Sequence, residues 1–97
     1  MKATLHPGAE RDVEQAAEFY EREASPVLAS RFIAEFKRVA QVLLESPGIG
    51  TPRSKGRRSF SMQVFPYALI YRPLEDGIEI LVVRHHRRRP SYGEARK

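Results

Sequence analysis

Nine consecutive residues near the end of the chain, Arg84-His85-His86-Arg87-Arg88-Arg89-Pro90-Ser91-Tyr92, carry four arginines, two histidines and a tyrosine. Arginine offers a planar fork of donors that matches phosphate and carboxylate oxygens. Histidine titrates near neutral pH and takes either side of a proton transfer. Tyrosine adds a stacking face and a phenol. Metal-free RNA cleavage needs these groups: one to take the 2′-hydroxyl proton, one to stabilise charge at the phosphate, one to protonate the leaving oxygen. Arg84, His85, His86 and Tyr92 are therefore candidate catalytic residues, with Arg87, Arg88 and Arg89 as candidate nucleic-acid contacts. The bland alternatives are a solvated charge run and histidines that merely finish a strand, since adjacent strand residues point to opposite faces.

A second basic cluster, Arg53, Lys55, Arg57 and Arg58, precedes the run Ser59 to Val64. Arg58 joins the catalytic candidates, and Arg53, Lys55 and Arg57 the nucleic-acid-binding ones. Other chemistries lack their residues. There is no cysteine, hence no thiolate ligand, disulfide or cysteine nucleophile. His6, His85 and His86 occur without an HExxH spacing or a nearby acidic cluster, so no metal site is expected. Gly48, Gly50 and Gly56 do not form a phosphate-binding loop, and no cofactor is expected.

The 97 residues suit one small domain, taken as 1–97. Residues 1–50 are net −2 and residues 51–97 net +7, within a total of +5. Such a basic half reads as a nucleic-acid face or a dock for an acidic partner. The first residues lack the apolar stretch of a signal peptide, and no run approaches a membrane span. With the absence of cysteine, this points to the cytoplasm and to no membrane partner.

The elements that must position these residues are legible in the periodicity. Lys2–His6 alternates as a short strand stopped by Pro7-Gly8. A helix over about Ala9–Glu23 places Ala9, Val13, Ala16, Ala17, Tyr20 and Ala24 on one stripe. Ser25-Pro26 starts a second helix to about Glu45, faced by Leu28, Phe32, Ile33, Phe36, Val39, Ala40, Leu43 and Leu44. Ile49–Lys55 reads as a loop, followed by strands over Arg57–Val64, Tyr67–Arg72 and Ile78–His85 with a Glu75-Asp76-Gly77 hairpin turn. The result is an α+β, β-α-α-β-β-β fold, its antiparallel sheet packed against an N-terminal helix hairpin. In such a meander the two basic clusters start at opposite ends of the sheet. Register, twist or a folded-back tail must join them.

The chain resembles toxins of the RelE/ParE superfamily of bacterial type II toxin–antitoxin systems. The resemblance rests on Ala9-Glu10-Arg11-Asp12-Val13 with Phe19-Tyr20, Ala29-x-x-Phe32, Pro47-x-x-Gly50 and Arg57-Arg58-Ser59-Phe60. It continues through Phe65-Pro66-Tyr67-Ala68-Leu69-Ile70-Tyr71-Arg72, Ile78-x-Ile80-Leu81-x-Val83 and His85-x-x-Arg88-x-Pro90-x-Tyr92. It implies the same fold and a toxin–antitoxin hetero-oligomer with a cognate antitoxin. Two targets follow from it. RelE-like members cleave mRNA on the ribosome, and Arg58, Arg84, His85 or His86, Arg88 and Tyr92 stand at similar places, although only Lys55 matches their central-loop lysines. ParE-like members inhibit DNA gyrase by protein binding, and the long helix hairpin is more like theirs. The basic strip favours mRNA cleavage as the first expectation, with gyrase inhibition as the alternative and weak or lost toxicity as a third.

Overall fold

The computed structural model describes residues 1–97. The elements are β1 (Lys2–Leu5), α1 (Pro7–Glu23), α2 (Pro26–Glu45), β2 (Thr51–Pro52), a single 3-10 turn (Ser54–Gly56), β3 (Arg58–Ser61), β4 (Tyr67–Leu74) and β5 (Gly77–His85). The five strands lie in the order β1-β5-β4-β3-β2. β1 runs parallel to β5 at one edge, and all other pairings are antiparallel.

Pro7 does not merely stop β1. Its fixed φ and missing N–H suit the first helical position, and His6 caps the helix by accepting the Gly8 amide on Nδ1 at 2.9 Å. The first helix therefore begins two residues before Ala9. Ser25 caps α2 as expected, its hydroxyl accepting from Leu28 N at 3.1 Å. Within the loop expected over Ile49–Lys55, Thr51 and Pro52 pair with Ser59 and Arg58, adding the short edge strand β2. β3 ends at Ser61, so Val64, the last residue of the strand expected over Arg57–Val64, lies outside it and is 75% exposed. Ala24, read as the end of the α1 stripe, is exposed too.

The helix hairpin covers one sheet face. Phe32, Val39 and Leu43 of α2 meet Leu69 and Tyr71 of β4 and Ile78 and Ile80 of β5, all nearly inaccessible. Burying each such side chain stabilises the fold by roughly 1.5–3 kcal/mol. Tyr71 also fixes the α2–β2 connection. Its phenol donates to Pro47 O at 2.7 Å and accepts from Gly50 N at 3.0 Å.

β5 carries one extra residue. Its register with β4 steps between Ile70↔Val82 and Tyr71↔Ile80, leaving Leu81 without a partner. This β-bulge reverses the alternation of the strand. Ile78 and Ile80 before it, and Val83 after it, all belong to the helix-side core. Leu81 and Val82 instead join Ile70 on the other face, where Tyr92 packs against them.

The segment after β5 is a strap rather than a loose tail. Successive turns are closed by Arg88 N to His85 O, Tyr92 N to Arg89 O, Glu94 N to Ser91 O and Arg96 N to Gly93 O. Gly93, at φ +75, lies against Val82; a Cβ there would come within 2.6 Å of Val82 Cγ2. No helix is long and apolar enough to cross a membrane.

Candidate functional site

Beyond Leu5 the edge of β5 has no neighbouring strand, and side chains take over its hydrogen bonds. Asp12 of α1 accepts from Val83 N at 3.0 Å. Arg96 donates to Leu81 O at 3.0 Å and pairs with Asp12 at 2.6 Å. Tyr92 donates to the second Asp12 oxygen at 2.5 Å. A carboxylate and a guanidinium thus extend the open ladder, giving Val83 N and Leu81 O the partners a strand would supply. Asp12 is only 6% exposed. Its hydrogen bond raises the Arg96 pKa above the ordinary guanidinium value, with burial working in the opposite direction.

In the sequence Asp12 stands out only as part of Ala9-Glu10-Arg11-Asp12-Val13, with no role of its own. The signal was present: positions 9, 12, 13 and 16 form an i, i+3, i+4, i+7 set, so a carboxylate at 12 had to be buried with Ala9, Val13 and Ala16. Arg96 had no such signal, because it reaches the site through non-periodic turns.

The folded-back strap ties the first basic cluster to the residues that follow the second, not to the second cluster itself. Arg53 donates to Pro90 O at 3.2 Å. Arg57, 6% exposed, donates to Glu94 O at 3.0 Å and also to Arg96 O. These contacts hold the strap, and they occupy two of the expected nucleic-acid-binding residues. Lys55 remains exposed at the tip, in the left-handed region with φ 64.

The candidate catalytic residues are dispersed. Arg58 donates to Gly48 O at 3.2 Å and Gly50 O at 2.7 Å, clamping the loop that Tyr71 also holds. It pairs with Tyr71 on β4, whereas His85 pairs with Tyr67. Four residues along a strand is about 13 Å. Arg84 and His85 are adjacent strand residues and face opposite sides; Arg84 turns to Arg88 O at 3.3 Å. His86 lies exposed in the turn after β5, its backbone amide donating to Pro66 O at 2.9 Å. The phenol of Tyr92 is committed to Asp12, and the Arg88 guanidinium stands 4.3 Å from its ring centroid.

His85 stays on the helix side because of the bulge. Its ring meets Tyr67 edge-to-face, with centroids 5.0 Å apart. Nδ1 accepts the Arg87 amide at 3.0 Å, which leaves the proton of the neutral ring on Nε2. Burial pushes its pKa below the ordinary value, and the charges of Arg87, His86 and Arg88 add to the effect. Near neutral pH this imidazole is a neutral hydrogen-bond donor whose lone pair is already engaged. It borders a groove of about 460 Å³ between α1 and the end of β5, lined also by Gln15, Phe19, Arg22, Arg87 and Arg88. Arg87, Arg88 and Arg89 are exposed and form no salt bridge. No group of three or more His, Cys, Asp or Glu is placed to hold a metal ion.

The sequence matches, over residues 3–90, the family profile described as the ParE toxin of type II toxin-antitoxin system, parDE. The chain belongs to the ParE toxin family. It is 30% identical over 92 residues to Toxin ParE2 of Mycobacterium tuberculosis strains CDC 1551 / Oshkosh and ATCC 25618 / H37Rv, covering 94% of this chain and 87% of that protein. Its fold is shared with a solved chain of the chromosomal ParDE TA system from P. aeruginosa, at TM-score 0.77 and 19% identity, over 88% of this chain and 95% of that one. The ParE fold therefore accounts for the helix hairpin and the mixed sheet. The profile match ends at Pro90, so Tyr92 and Arg96, which close the ParE sheet edge here, lie beyond it.

Proposed function

We propose that this ParE-family toxin inhibits growth by binding DNA gyrase, without chemistry of its own. One observation carries this reading: the groups that RNA cleavage would need are divided between the two sheet faces and engaged in structural hydrogen bonds. Arg58 clamps a loop, Arg84 faces away from His85, and Tyr92 is held by Asp12. His85 has its acceptor nitrogen occupied and its pKa depressed, which suits a hydrogen-bond donor better than a general base. What the surface offers instead is relief and charge: exposed Phe19, and three unpaired arginines. A cognate antitoxin, forming a hetero-oligomer with the toxin in the cytoplasm, is the partner that membership of a toxin–antitoxin family supports.

Induction of the chain without antitoxin tests this reading. DNA synthesis is expected to fall first, with an SOS response, while mRNA stays intact; the purified chain should inhibit gyrase supercoiling. Cleaved mRNA with unaffected supercoiling sinks the proposal. That outcome would favour ribosome-associated mRNA cleavage, for which the juxtaposition of His85 with Arg87 and Arg88 is the supporting observation. Harmless accumulation of the folded chain would instead indicate a module with lost toxicity.

A further inference from the structure

Arg87, Arg88 and Arg89 form the turn that follows β5, all exposed and none in a salt bridge. Little negative charge surrounds them. The part of α1 that borders the turn presents Gln15, Phe19 and Arg22, and Asp12 below is neutralised by Arg96. Glu75 and Asp76 sit at the far end of β5, about eight strand steps or roughly 26 Å away. That is well beyond the screening length of about 8 Å at physiological salt. Glu79 is paired with Arg72 at 2.5 Å, which leaves Glu94 of the strap as the one unpaired carboxylate beside Pro90. Arg53 donates to Pro90 O, the residue after the run, and so ties the tip carrying the exposed Lys55 to the same turn.

We infer that this turn binds the phosphate backbone of duplex DNA, alongside whatever contacts the chain makes with gyrase itself. The inference rests on the proposed target, an enzyme whose substrate is double-stranded DNA. Guanidinium forks match phosphate oxygens, and release of counterions from the duplex supplies the affinity. Such contacts fix position without reading sequence. A single RNA strand is a poorer occupant, because it needs aromatic faces on which its bases stack. The Tyr92 ring already carries Arg88 at 4.3 Å and Arg96 at 5.1 Å from its centroid, and the buried Tyr67 ring is packed on His85.

The test follows the polarisation of a fluorescein-labelled DNA duplex and an oligouridine strand with the full chain across a salt series. The duplex is expected to bind tighter, with log K falling against log salt at a slope of about −2.7, three phosphates at about −0.9 each. Arg87→Gln with Arg89→Gln leaves Arg88 on Tyr92. It should weaken duplex binding at least about tenfold and reduce the slope by about 2, with the thermal midpoint in place. Arg11→Gln with Arg31→Gln removes the same charge from exposed helix positions and should change binding by less than about twofold. The Arg87 and Arg89 change should also raise several-fold the concentration that inhibits gyrase supercoiling. Tighter binding of oligouridine, equal losses from the two double changes, or unchanged inhibition by the Arg87 and Arg89 variant overturns the DNA contact. Failure here with gyrase still inhibited by the native chain removes only this surface. Duplex binding as expected with supercoiling unaffected by the native chain removes only the proposed target.

Discussion

Asp12 is the residue on which most depends, because one carboxylate serves a helix, a strand edge and the strap at once. Replacing it with Asn leaves the partly buried Arg96 beside Tyr92 without its counter-charge. Breaking a fully buried pair from one side costs roughly 3–5 kcal/mol, and the partial exposure of Arg96 places this pair at the low end. For a domain of this size the thermal midpoint of Asp12→Asn should fall by more than about 10 °C. Removing both partners, in Asp12→Asn with Arg96→Met, should cost clearly less than the sum of the single changes, because no unpaired charge is left behind. Additivity would show that the pair in the structure is not energetically coupled. His85 adds a pH dependence of definite sign. Its pKa is lowered in the folded chain, so between that value and about 6.5 the unfolded chain binds more protons. Stability is therefore expected to decline as pH falls below about 6.5 and to level off once the folded imidazole is protonated too. Urea titrations across that range should show the decline, and His85→Asn should flatten it.

At the scale of elements, the helices and central strands were readable because periodicity and caps agree. Ser25-Pro26 gave the start of α2, and the 3–4 spacing of Phe32, Phe36, Val39 and Leu43 gave its buried face. Ser25→Ala should cost about 1 kcal/mol, measurable as a shift in urea midpoint. β2 was not readable, since two residues carry no period and their pairing to Ser59 and Arg58 is set by the sheet. The strap was missed for a different reason. Its residues look like a polar basic tail, and their order comes from long-range partners on α1 and β3. The basic clusters were legible as composition, but what the first of them touches depended on that fold-back. Gly93 is a direct probe of it. Ala at this position faces both the left-handed backbone and Val82, so Gly93→Ala should loosen the strap and raise amide exchange at Val83.

Across the whole molecule, charge is sorted more sharply than the total of +5 conveys. Arg22 of α1 and Arg87 and Arg88 after β5 line one groove, while Arg53 and Arg57 turn inward to the strap. Partner binding should therefore weaken with salt, but only gently if a few ionic contacts are made rather than a phosphate lattice. The bulge in β5 has one more consequence. A strand with a spare residue has slack in its length. Losing either Leu81 or Val82 would straighten the ladder without turning Val83 and His85 away from the helices, at the cost of one buried side chain. Such a shortened chain is expected to keep the ring-current shift between His85 and Tyr67, whereas an unbulged strand of full length would present Arg84 to the helix side. β5 can thus absorb a one-codon deletion that would invert an ordinary strand.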